Sequence, residues 1–189
     1  MKKLIFSTFI IAVLFSCKKN ENADQLENQT NTENIDSTSQ SMPIESDVAS
    51  MKVVNQEELS NLISNKKNDT IYVTNFFATW CPPCMREIPD FVDKMKELKG
   101  KPVKFTFVSV DARDDWSSKV SDFVDEYGLK ENIVLFDAST ISPDYFTKIT
   151  KTWDGGSIPF TVIKKGDKEI ENVGMMSKED LDAKLNSFK

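Results

Sequence analysis

From residue 51 onward the apolar positions fall into short blocks whose spacing changes from block to block. Asn55-Gln56-Glu57-Glu58 offers an N-cap with an acid at the third helical position, and Leu59, Leu62 and Ile63 follow on one face, which predicts a helix. The polar run at 65–69 predicts a loop. Ile71 to Phe77 is apolar and β-rich and predicts a buried strand. From Pro82 to Leu98, Ile88, Phe91, Val92, Met95 and Leu98 recur at helical spacing; Pro89 should kink this helix and Gly100 closes it. Val103 to Val110 reads as a second strand. A helix over Trp116–Tyr127, ending at Gly128, turns Val120, Phe123, Val124 and Tyr127 inward. Ile133–Phe136 is a short strand, and Ser142-Pro143 predicts another helix start, with Ser as N-cap and Pro in the first turn. Phe160–Ile163 and Glu169–Val173 are strands joined by a hairpin turn at Lys165-Gly166-Asp167. Ser177, with Asp180 in the acid's place of a capping box, opens a last helix carrying Leu181 and Leu185.

The order, helix first and then strand and helix in alternation, predicts an α/β domain over 51–189. Its sheet should be mostly parallel and covered on both faces, with the final hairpin adding an antiparallel strand.

The first 50 residues follow another pattern. Met1-Lys2-Lys3 precedes an apolar run from Leu4 to Phe15. A basic start, about a dozen apolar residues and a small residue before the break describe a secretory signal, here 1–16. The run is short of the roughly 20 residues a membrane-spanning helix needs. Leu14-Phe15-Ser16-Cys17 resembles the lipobox of bacterial lipoproteins, in which the cysteine is acylated and becomes the new N-terminus. Residues 18–50 are rich in Asn, Gln, Ser, Thr and Glu without apolar period. Such a segment buries too little apolar surface to offset its ordering entropy, so 17–50 is expected to be a lipidated cysteine followed by a disordered tether.

Charge removes one class of function. The net charge is −6 and the basic residues are interleaved with acids, so nucleic-acid binding has no electrostatic footprint. There is no phosphate-binding loop and no dinucleotide-type glycine fingerprint.

Chemistry concentrates in one stretch, Asn75-Phe-Phe-Ala-Thr-Trp-Cys-Pro-Pro-Cys-Met-Arg-Glu-Ile-Pro89. The chain has three cysteines, one of them at the lipobox, and no histidine. A structural zinc site wants four Cys or His ligands. Attached haem wants a histidine directly after the second cysteine, where Met85 stands. A bridge between Cys81 and Cys84 closes too small a loop to constrain the unfolded chain much. Thiol–disulfide exchange fits the position. Cys81 follows a buried strand and starts a helix, where unpaired amides and the helix dipole favour a thiolate. Cys84, one turn on and shielded, could resolve a mixed disulfide.

This stretch resembles the active site of the thioredoxin superfamily, and most of all its TlpA-like branch of exported, often membrane-tethered thiol-disulfide oxidoreductases. Gly156-Ser157-Ile158-Pro159-Phe160 is similar to that superfamily's cis-proline loop. The resemblance covers roughly 51–189. It implies a thioredoxin fold, a central mixed sheet with helices on both faces, and a TlpA-like helix-strand insertion over Ala112–Asp137. It implies that Cys81 attacks, Cys84 resolves, and the cis-proline loop at Ile158 and Pro159 holds the incoming chain as an added strand. Thioredoxins proper carry a buried Asp at the position of Asn75, so Glu87 becomes the candidate proton carrier, or else a first-turn acid favoured by the dipole. Trp80, Pro82, Pro83 and Gly174 would line the substrate site, and Trp153 either flanks it or packs in the core.

Direction follows from the spacer. Pro82 and Pro83 lack N–H groups and withhold two donors from the sulfur. A less stabilised thiolate means a more reducing disulfide. The expected activity is therefore disulfide reduction; the resemblance implies substrates among exported proteins, such as cytochrome c apoproteins, and a membrane thiol donor, with no cofactor or metal. An oxidase, an isomerase or a non-catalytic binding module are the alternatives. The expected location is the periplasmic side of a bacterial envelope, held by lipid on Cys17.

Overall fold

A computed structural model describes residues 51–64 and 66–188. The signal, Cys17 and the tether lie outside the described residues. The elements are β1 (Lys52–Val54), α1 (Gln56–Ile63), β2 (Ile71–Phe77), α2 (Pro82–Glu97), β3 (Val103–Ser109), α3 (Ser121–Tyr127), β4 (Ile133–Phe136), α4 (Tyr145–Ile149), β5 (Phe160–Lys165), β6 (Lys168–Val173) and α5 (Lys178–Asn186). Six strands form one sheet in the order β1-β4-β3-β2-β5-β6. β1, β4, β3 and β2 run parallel, while β5 is antiparallel to β2 and to β6. This is the mixed α/β sheet that the alternation of elements predicts.

Strand side chains alternate between two faces, and the core divides accordingly. On one face Val73, Phe77, Phe105, Phe107, Leu135 and Ile163 pack with α2, α3 and α5. On the other, Phe76, Val108, Phe136, Phe160 and Val162 pack with α1, α4 and Trp153. Asn75 lies between Val73 and Phe77 on the first face and is paired across the sheet with Thr161. Both therefore point toward α2.

Several local readings need correction. The domain opens on a strand, β1, which pairs with β4 ahead of the first helix. The segment 116–127 is not one α-helix: Trp116–Val120 forms a π-helical turn before α3, which ends on Gly128 in the left-handed region at φ 66°. Ser142-Pro143 lies outside the helix it was expected to start. α4 begins at Tyr145, its N-cap Asp144 makes no side-chain cap, and Ser142 instead accepts from the Tyr145 amide through its carbonyl. At α5, Ser177 Oγ accepts from the Asp180 amide at 3.1 Å, but the Asp180 carboxylate returns to the Ser177 hydroxyl at 2.9 Å. An aspartate is one carbon short of the glutamate in a full capping box. α1 has the full box, with Asn55 and Glu58 each bonded to the other's backbone.

Candidate active site

Cys81 is the N-cap of α2, at φ −93° and ψ 103°, with Pro82 and Pro83 in the first turn. Proline suits these positions because first-turn amides have no helical partner to lose. Cys84 occupies the third helical position and is bonded to Cys81 as a disulfide. Its amide donates to Cys81 Sγ at 3.3 Å. The spacer prolines withhold two donors, and this third one remains. Cys84 is fully enclosed and Cys81 retains 3% exposure. Trp80 beside them is 61% exposed, with Val173 and Met175 the nearest to it in exposure among large apolar residues of the described chain.

The loop before β5 comes up against the pair. The Ile158–Pro159 bond is cis, and the Ile158 carbonyl oxygen lies 3.7 Å from Cys81 Sγ. Gly174, at φ 89°, donates its amide to the Pro159 carbonyl at 2.8 Å. Trp153 does not flank the site as a contact surface. It is buried, stacked on Phe160 with ring centroids 4.4 Å apart, and its Nε1–H donates to the Ser157 carbonyl at 2.6 Å. It thus supports the loop from below.

Beneath the cysteines lies a polar group that an apolar core would ordinarily exclude. Glu87, one turn after Cys84 on α2, is 1% exposed. Asn75 Nδ2 donates to its Oε1 at 2.8 Å and the Met176 amide donates to its Oε2 at 2.7 Å. Burial pushes the carboxyl from its ordinary 4.5 up to about 7, against the opposing pull of the Met176 and Asn75 donors. No charged neighbour contributes to that shift. Asn75 Nδ2 also donates to Thr161 Oγ1 at 3.0 Å, while Asn75 Oδ1 is buried with no partner.

A second buried carboxylate holds the loop that leads into Cys81. Asp111, just past β3, accepts from the Thr79 amide at 3.0 and 3.1 Å, from the Thr79 hydroxyl at 2.6 Å and from the Ser109 hydroxyl at 2.9 Å. Its backbone carbonyl accepts from Trp116 Nε1 at 3.0 Å, which ties the π-helical turn to the same point.

The structure thus brings Trp80, Cys81, Pro82, Pro83, Cys84, Ile158, Pro159 and Gly174 to one end of the sheet, with Glu87 below. Sequence reasoning missed Asp111, Thr161 and the Met176 amide. Its one available signal was polar Asn75 inside the apolar run of β2, noted only for not being Asp.

Comparison with known proteins agrees with this geometry. The model of the AhpC/TSA family matches residues 44–173. The chain belongs to the AhpC/TSA family. Within it, the chain resembles the thiol-disulfide oxidoreductase ResA of Bacillus thuringiensis (strain Al Hakam), at 32% identity over 116 residues, 60% of this chain and 61% of that one. It resembles the sporulation thiol-disulfide oxidoreductase A of Bacillus subtilis (strain 168) at 29% over 131 residues, 69% of this chain and 73% of that one. The chain spans about three-fifths of the length of the ResA relatives it matches. Among solved structures, a thiol:disulfide interchange protein of the thioredoxin family from Chlorobium tepidum TLS matches with TM-score 0.51 and 28% identity, over 63% of this chain and 79% of that one. This AhpC/TSA member accordingly has the thioredoxin fold, of the TlpA-like kind.

Proposed function

We propose that the chain is a thiol-disulfide oxidoreductase that reduces disulfides of exported proteins. The observation that carries this reading is Cys81 Sγ at the N-terminus of α2, 3.7 Å from the carbonyl of Ile158 in the cis-proline loop, with Cys84 enclosed behind it. A substrate strand laid on the Ile158 backbone brings its own disulfide to that sulfur.

The Cys81 thiolate attacks one substrate sulfur. The substrate S–S bond breaks, a mixed disulfide forms, and the released thiolate takes a proton. Cys84 then loses its proton toward Glu87 and attacks Cys81. The second substrate thiolate leaves and the Cys81–Cys84 bond closes. Two electrons pass to the substrate, and a membrane thiol donor restores the dithiol. A group that ionises near neutrality suits the proton step, which supports Glu87 in that role. Reduction is the favoured direction because the spacer prolines leave the sulfur one amide donor, that of Cys84. Cytochrome c apoproteins are one substrate class consistent with this chemistry. Trp80, Pro82, Pro83 and Gly174 form the rim such a substrate would touch.

The same reading places the domain on the periplasmic side of a bacterial envelope, held by lipid on Cys17. Its support is the motif Leu14-Phe15-Ser16-Cys17. Labelling with a fatty-acid analogue should be lost in Cys17→Ser, and labelling that survives the change refutes the anchor.

Trapping tests the reaction. Cys84→Ser should hold partners as mixed disulfides on Cys81, which identifies substrate and donor together. Partners found on Cys84 after Cys81→Ser, with none on Cys81 in the reciprocal variant, would reverse the two roles.

A further inference from the structure

Both hydrogen bonds to Glu87 come from donors, a set that matches its ionised state better than its protonated one. Both carboxyl oxygens face donors, Asn75 Nδ2 at 2.8 Å and the Met176 amide at 2.7 Å. An ionised carboxylate accepts from both. A protonated carboxyl keeps acceptor capacity but adds an O–H; on Oε1, aimed at Asn75, that O–H would meet an N–H, and an unmet buried hydroxyl is costly. The Met176 donor is backbone and fixed. The Asn75 donor is a side-chain amide, whose oxygen is buried and unpartnered. Rotating that amide by half a turn exchanges Oδ1 with Nδ2. Oδ1 then stands about where Nδ2 stood, within reach of Glu87 Oε1 and Thr161 Oγ1. Thr161 can follow, because a hydroxyl that accepts in one state donates in the other.

We propose that Asn75 is a positioning residue that reverses its side-chain amide with the protonation of Glu87, Thr161 reversing its hydroxyl in step. With Glu87 ionised, Nδ2 donates to Glu87 and to Thr161. With Glu87 protonated, Oδ1 accepts the carboxyl O–H and the Thr161 O–H. The device keeps one carboxyl oxygen satisfied in both states of a side chain that is 1% exposed, and it passes the unpartnered place of the amide from Oδ1 to Nδ2. It also explains why an amide suits this position: a carboxylate at 75 would have no donor to offer an ionised Glu87, and an apolar residue would have neither donor nor acceptor. The groups bonded to the carboxyl are Asn75 from β2 and the Met176 amide, with Thr161 from β5 bonded to Asn75 and Cys84 one turn away on its own helix; Cys84 is held in the disulfide. In the oxidised protein Glu87 is thus the one titrating group of the set.

The inference rests on the proton-carrying role proposed for Glu87, but its test needs no substrate. The oxidised full-length chain, labelled with 15N and 13C, is followed by NMR from pH 5 to pH 9. The Glu87 carboxyl carbon reports its protonation. The Asn75 side-chain NH2 resonances should move with the same midpoint, and their cross-peaks to Thr161 and Glu87, present at pH 9, should be lost at pH 5. Glu87→Gln, which presents a permanent N–H to Asn75 when its own oxygen faces Met176, should lock the amide in the low-pH arrangement at every pH. Asn75 cross-peaks that persist at both ends of a wild-type titration overturn the inference, as does a Glu87 carboxyl that does not titrate in this range. Neither result touches the Cys81–Cys84 chemistry, which the trapping variants test separately.

Discussion

Replacing Glu87 with Gln should flatten the dependence of stability on pH. The wild-type carboxyl is raised from 4.5 to about 7 by burial. In the unfolded chain it ionises freely, so between these two values the native state binds more protons than the unfolded state. Stability is then fully present below pH 4.5 and is lost as pH rises through 7. At about 1.4 kcal/mol for each tenfold change in proton concentration, the full loss is about 3 kcal/mol. Between pH 5 and pH 8 it is about 2.5 kcal/mol. The side chain is 1% exposed, so solvent screening does not reduce this figure much. Gln has no charge to lose or gain. Urea unfolding of both proteins at pH 5 and pH 8 isolates the effect. With a slope of about 2 kcal/mol per molar urea, the wild-type midpoint should fall by about 1 M more than that of Glu87→Gln. Midpoints that move in parallel would show that Glu87 ionises as freely inside the fold as outside it, and would refute the reasoning from burial.

Three further substitutions probe the supports of the site. Gly155→Ala places a methyl 2.3 Å from the Phe146 ring at a backbone φ of +87°, and Phe146 is locked among Phe76, Phe136 and Trp153. It should lose about 2–4 kcal/mol in urea unfolding, and a loss under about 1 kcal/mol would mean that the ring yields. Asp111→Ala leaves the Thr79 amide and the Ser109 hydroxyl without their acceptor and should cost about 2–4 kcal/mol, with slower reduction of a model disulfide. An unchanged rate would show that the Thr79 loop holds Cys81 unaided. Trp153→Phe keeps the ring stack but removes the 2.6 Å bond to Ser157, so it should cost about 1–2 kcal/mol by thermal or urea unfolding. A wild-type midpoint would mean the cis-proline loop does not need that bond.

What the sequence showed plainly was local. The apolar blocks of β2, α2, β3 and β4 are long or regular enough for their period to show, and their alternation carries the fold class. β1 has three residues, with Val53 exposed, and no period can be read from so short a strand. The π-helical turn at Trp116–Val120 is set by tertiary contacts, among them the Trp116 bond to the Asp111 carbonyl. The cysteine pair and Glu87 stood out because they share one helix. Their partners did not, because those come from far along the chain: Thr161 meets Asn75 across 86 residues, and the Met176 amide meets Glu87 across 89. Glu87 could be proposed from its place after Cys84. That its carboxyl is fully enclosed, with an asparagine in contact whose oxygen is unmet, emerges only when β2, β5 and the loop after β6 are folded onto α2.

The most direct test of the reading as a reductase is the reduction potential of the Cys81–Cys84 pair. Equilibration of the chain with defined glutathione buffers, followed by thiol alkylation and mass measurement, gives the fraction oxidised at each potential. A site with two prolines in its spacer and one amide donor on its sulfur should titrate below about −220 mV, on the reducing side of the exported-protein environment. A value near about −120 mV, that of the strongest dithiol oxidants, would contradict the account and make the protein a donor of disulfides.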